Sequence, residues 1–189
     1  LNAGARDNRG GLVAAEGALQ AQTASLANTG GAVSAQDLNL NAGNGAINNT
    51  SGRIEAERSA TLTADTLDNT GGLLRANEAL ILAARGVANR DTQGADQGIE
   101  AGDVQINVAG LDNTRGAVRA NSSASIVAST AVDNTGGLVS SLGTLSISDA
   151  NAANATKALA VRNAGGSLVA NTDLRIDAAT FGTLFAEEA

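Results

Sequence analysis

The sequence predicts an all-β protein, a parallel β-helix or β-solenoid of about eight coils of about 20 residues each. Three observations carry this expectation: a recurring unit of nearly constant length, apolar residues that alternate with period two, and a composition without bulky core residues. The clearest copy of the unit is Leu67–Ala84, LDNTGGLLRANEALILAA.

Taken in order, the unit begins at an Asn that falls at Asn8, Asn28, Asn49, Asn69, Asn89, Asn113, Asn134 and Asn163. The spacings are 20, 21, 20, 20, 24, 21 and 29 residues. Three residues later comes Gly11, Gly31, Gly52, Gly72, Gly116, Gly137 or Gly166, and only the fifth unit lacks it. Asn and Gly tolerate the left-handed backbone of tight corners, so this pair marks a corner. An apolar residue follows at Val13, Val33, Ile54, Leu74, Ile99, Val118, Val139 and Leu168. Pairs such as Leu38/Leu40, Leu80/Leu82, Val104/Ile106 and Leu145/Ile147 close the unit. Alternation with period two places one face of a strand inward, whereas a helix would repeat every 3.6 residues.

A unit this short cannot bury its apolar face alone, but coil stacked on coil can. Strands then pair with their equivalents one repeat away, at about 4.8 Å along the axis, which gives a body on the order of 40 Å long. The Asn residues would form a ladder of stacked amides, because a buried amide without a partner is costly. Six residues after the Asn, or eleven in the fifth unit with its insertion, an outward column carries Glu55, Arg75, Glu100 and Arg119 in successive units. Their alternating sign predicts an ion-pair ladder that disfavours a slip of one coil.

Composition agrees. Hydrophobic residues make up 43% of the 189, yet aromatic residues are 1%, so the interior must be narrow enough for Leu, Ile, Val and Ala to fill. Without Cys or His the usual ligands for zinc, copper and iron are missing, as is the commonest general base. The net charge of −7 argues against a nucleic-acid partner. No apolar run approaches the length of a membrane span. The expectation is therefore no metal, no cofactor and no catalytic residues. A carboxylate pair between coils, for which Asp112 and Asp133 are the candidates, reads as two solvated acids. Thr29, Thr50, Thr70, Thr114 and Thr135 form one incomplete column, which reads as a corner ladder and falls short of the regular rows an ice-binding face needs.

Residues 1–180 read as one repeat domain, opening on what reads as the end of a repeat and so expected to be an internal piece of a longer chain. Residues 181–189, with both Phe residues, read as a cap or the start of the next coil. Two insertions break the period, Arg90–Gln97 and Asp149–Leu159; the second is Ala-rich and compatible with a turn or two of helix. Insertions of this kind are where a solenoid's binding elements are expected.

The repeated Leu-Asp-Asn-Thr-Gly-Gly-Leu-Leu-x-Ala, followed by Leu-x-Leu-x-Ala, resembles the haemagglutinin repeat of filamentous haemagglutinin-like exoproteins. These are two-partner-secretion adhesins and the sticks of contact-dependent growth inhibition. The matches are clearest at 26–42, 47–64, 67–84, 111–128 and 132–147 and extend over roughly 5–178. The resemblance implies a right-handed β-helical shaft segment, not an enzyme, secreted to or displayed on a Gram-negative outer-membrane surface. It implies as partners the rest of its own chain, an outer-membrane transporter during secretion, and a host or bacterial surface receptor. The alternatives from the residues are a receptor- or glycan-binding module built on the two insertions and, third, a carbohydrate-active β-helix enzyme.

Overall fold

A computed structural model describes residues 2–151 and 157–182. Among the described residues there is no helix; eighteen strands form one continuous parallel sheet wound into a β-solenoid of about eight turns of about 21 residues. The helical turn expected within the second insertion falls largely on 152–156, outside the described residues, as does 183–189 of the tail.

Each coil contributes to three parallel ladders. The first follows the Asn corner and runs from Leu12–Ala14 through Ala32–Ala35, Arg53–Ala56 and Leu73–Ala76 to Leu138–Ser141 and Ser167–Ala170. The second runs from Ala18–Ala27 through Asp37–Asn41 and Ala79–Ala88 to Thr144–Asp149 and Leu174–Asp177. The third includes Asn2–Asp7, Ala46–Asn48, Ala160–Arg162 and Thr180–Gly182. In the middle of the stack, second- and third-ladder strands merge with the first into Gly98–Asp112 and Ala117–Asp133.

Register stacks like on like. Leu40 pairs with Leu62, Leu62 with Leu82, Leu82 with Ile106, Ile106 with Ile126 and Ile126 with Ile147. In the middle of the stack these side chains are buried in one axial core. Burying each large aliphatic side chain contributes roughly 1.5–3 kcal/mol. Phe181 is in register with Val161 at the end of the third ladder and remains half exposed.

The corner works differently from the expectation. The residue with left-handed backbone is the second after the Asn, not the third: Gly10, Gly30, Ser51, Gly71, Asp91, Arg115, Gly136 and Gly165, with φ from 49 to 63°. The column Gly11, Gly31, Gly52, Gly72, Gly116, Gly137 and Gly166 is restricted by space instead. A Cβ on Gly31, Gly52, Gly72, Gly116, Gly137 or Gly166 would lie 1.8–2.3 Å from the backbone carbonyl oxygen of the preceding coil's Asn. On Gly11 the nearest atom is the Asn8 side-chain oxygen at 2.7 Å.

This separates two neighbouring glycines. Gly71→Ala places a side chain on left-handed backbone where the nearest atom is 3.5 Å away, and should cost about 1 kcal/mol. Gly72→Ala meets the Asn49 carbonyl oxygen at 2.3 Å and should cost more than about 3 kcal/mol. Urea unfolding of the two variants checks the order.

Candidate functional site

All eight motif Asn residues stand in one file. From Asn8 to Asn163, each Nδ2 donates to the Oδ1 of the next coil's Asn at 2.7–2.8 Å. Asn28, Asn49, Asn69, Asn89, Asn113 and Asn134 are wholly buried. The second hydrogen of Nδ2 is committed to backbone carbonyls: Asn49 Nδ2 lies 3.2 Å from Gly52 O and 3.0 Å from Leu73 O. The backbone closes the same corner, with Gly52 N–H donating to Asn49 O at 2.9 Å. The amides are fully engaged by the protein itself.

The residue before the Asn completes the turn. The side chains of Asn48, Asp68, Asp112 and Asp133 accept from the backbone N–H of Thr50, Thr70, Thr114 and Thr135 at 2.9–3.0 Å. Asp112 and Asp133 do sit side by side on adjacent coils. Each has one oxygen on its own turn, while Arg90 lies 3.0 Å from the other oxygen of Asp112 and Arg162 3.8 Å from that of Asp133. These acids build corners. A shallow groove of about 630 Å³ runs along this third face, floored by Gly86, Ala88, Gly110 and Ala131. Among the described residues, no cluster of acids could hold a metal ion.

The charged column of the first ladder is a continuous network. Arg75 lies 3.6 Å from Glu55 and 2.8 Å from Glu100, and Arg119 lies 2.9 Å from Glu100. Arg53 adds a two-point contact with Glu55, both at 3.0 Å. Each half-exposed pair contributes about 0–1 kcal/mol. Similar pairs join successive coils elsewhere, as Arg85 with Asp65 at 2.9 Å, Arg115 with Asp91 at 2.6 Å and Arg58 with Asp37. The guanidinium partners hold the Asp65 and Asp37 carboxyls below their ordinary value. Only the outward column was legible in the sequence; the signal for the rest is opposite charges about one repeat apart.

The insertion 90–97 is fastened to this network as a strap. Arg75 donates to Asp96 at 2.8 Å, and Arg119 donates to the carbonyls of Gln97 and Gln93 at 3.0 and 3.3 Å. The Gln97 amide donates to Gly71 O at 3.1 Å and the Gln93 amide to Gly136 O at 2.6 Å, so the strap reaches from the fourth coil to the seventh. Leu73 and Ala117 occupy outward positions beside these anchors yet are wholly buried and lie outside the axial core. The strap therefore closes over them.

Thr92, at the root of the strap, stands where the fifth unit lacks its Gly. In regular corners the Gly N–H donates to the Asn carbonyl, and the Gly carbonyl accepts from the next coil, as Ala32 N–H to Gly11 O at 2.8 Å. In the fifth coil one hydroxyl performs both roles. Thr92 Oγ1 donates to Asn89 O at 3.2 Å and accepts from Ala117 N–H at 3.0 Å.

The second insertion is anchored by Asp149, a buried carboxylate. One oxygen accepts from Asn151 N–H at 2.8 Å, and the other accepts from the N–H groups of Leu159, at 2.8 Å, and Ala158. The N–H donors, that of Leu159 above all, hold its carboxyl below the ordinary value of 3.8.

Thr92→Val, which removes the hydroxyl and keeps the shape, should destabilise the protein by about 3 kcal/mol because two buried backbone groups lose their partner. Thr92→Ser should stay within about 1 kcal/mol, both measured by chemical denaturation. For Asp149 the folded carboxyl titrates below the unfolded one. Its stabilising effect is thus complete above the ordinary value and is lost as pH falls through the folded value. The melting temperature of Asp149→Asn should lie below that of the parent at neutral pH, and the gap should close as the pH falls below the ordinary carboxylate range. Comparison with models of protein families, with curated proteins and with solved structures returns no match.

Proposed function

We propose that this chain is a shaft segment of a secreted, surface-displayed exoprotein of the filamentous haemagglutinin-like kind, holding binding or toxin parts away from a Gram-negative cell. The observation that carries the reading is the self-similarity of the coils. Each coil presents the same amide, the same close-packed corner and the same apolar columns to the coils on either side. Such a body gains length without changing its cross-section, which suits a spacer. The strap supports the same reading, since its side-chain amides and Asp96 turn to their own coils. The reading names no catalytic residue, and it takes the rest of a longer chain and an outer-membrane transporter as partners.

The test uses cells that produce the protein. Antibodies raised against residues 1–189 should label intact cells or the culture medium, and loss of the cognate transporter should abolish the signal. Removing one interior coil, residues 49–68, brings Asn28 into register with Asn69 and should leave a secreted, folded product. Confinement to the cytosol would overturn the proposal. So would receptor or glycan binding by the isolated segment that disappears when 90–97 is deleted, which would favour the binding-module reading.

A further inference from the structure

The chain carries 12 basic and 19 acidic residues, and they are unevenly placed. The outward columns of the first ladder hold Arg53, Glu55, Arg75, Glu100 and Arg119, and those of the third hold Asp68, Asp112, Asp133 and Arg162. The second ladder is different. One outward column begins at Gln20 and passes through Asn39, Thr61, Ile81, Gln105 and Ser125 to Ser146. The other begins at Gln22 and passes through Asn41, Thr63, Ala83, Asn107 and Val127 to Ser148. In these two columns seven successive coils present no charge, which returns in the next coil with Arg175 and Asp177; a third outward column of the same ladder, at its border, carries Asp37 and Asp103. At the border, Asp37 is paired with Arg58 and Asp103 with the Ser123 hydroxyl.

Several polar side chains of this face are also uncommitted, although Asn41 Oδ1 accepts from Gly43 N–H at 2.8 Å. On the other faces, polar side chains hold ion pairs and corners. Here the side chains of Asn39, Thr61, Thr63, Gln105, Asn107 and Ser125 make no hydrogen bond among the described residues. We infer that this second-ladder face is a self-association surface, on which a second copy of the chain packs sheet against sheet. Three arguments select a second copy. In a chain of net charge −7, this is the face on which two copies bring the fewest charged side chains together, since Asp37, Asp103 and the Asp65–Arg85 pair stand only at its borders. Uncharged amides and hydroxyls are self-complementary, each able to donate and accept, and they lose less on leaving water than ions do. No aromatic ring is present on the face to stack against a sugar.

The size sets the strength. Seven coils at about 4.8 Å and five residues at about 3.3 Å, as in Asp37–Asn41 with the border column included, define a face of about 34 by 16 Å, so two copies bury about 1,100 Å². That is just above the roughly 1,000 Å² expected of a specific contact and belongs to the weak, reversible class. The inference stands independently of whether the chain is a secreted shaft.

Sedimentation equilibrium of the 189-residue chain should show a reversible monomer–dimer equilibrium below about 1 mM. Thr63→Lys with Asn107→Lys should weaken it at least about tenfold while circular dichroism stays unchanged. The matching Glu variant should also be weakened, and mixing the two should restore association, because the opposed charges then attract. Ser140→Lys on the first ladder should leave the parent equilibrium intact. A chain that stays monomeric to that concentration overturns the inference, as does association indifferent to the Lys pair. Binding of a neutral glycan to this face without self-association overturns it too.

Discussion

A wholly buried primary amide with no partner would destabilise this molecule at every coil, and the arrangement of the chain follows from avoiding that. An Asn side chain offers two donors and a carbonyl. In this stack the carbonyl receives the coil before, one donor reaches the amide of the coil after, and the other donor is shared between backbone carbonyls of its own corner and of the next coil. That pattern closes only if the next coil puts an identical residue at the same place. The amide file therefore sets the axial register, and the apolar columns, which would tolerate a small slide, follow it. The file also explains why units of 20, 21, 24 and 29 residues coexist. Extra length is expelled between fixed points, and the Asn-to-Asn bonds remain 2.7 Å across both insertions.

The second constraint is crowding at the same corner. The Asn carbonyl of each coil points at the third residue of the next corner, leaving no room there for a Cβ. Conformational freedom is demanded one residue earlier, where Ser51, Asp91 and Arg115 accept left-handed backbone at moderate strain. Space is the stricter of the two demands, since strain at a single residue is bounded while overlap with a fixed carbonyl is not. Where the fifth coil gives up the Gly, the strap takes the chain elsewhere, and the Thr92 hydroxyl restores the two hydrogen bonds that the Gly backbone supplies in regular corners.

Charge then distinguishes faces that the backbone makes nearly equivalent. Most cations lie beside an acid one coil away, so the network fastens neighbours without reaching further. The strap is the exception. It links the fourth coil to the seventh and covers two outward apolar side chains that would otherwise meet water. The second-ladder face, uncharged along its two central columns and clear of the strap, differs from the other two in what it can meet.

The sequence alone determined the architecture, because a repeat states its rule eight times. Asn69 and its seven counterparts, the alternating Leu80/Leu82 and its copies, and the sign alternation from Glu55 to Arg119 are periodic facts, and periodicity translates directly into stacking. What breaks the period was not legible in the same way. That Arg90–Gln97 is a fastened strap depends on contacts with Gly71 and Gly136, which the chain brings together only after the coils are wound. The division of labour between adjacent glycines depends on a carbonyl in the preceding coil. The uncharged face depends on which outward columns fall on the same ladder. These are relations between residues distant in sequence, and only the tertiary structure, by fixing their separations, decides them.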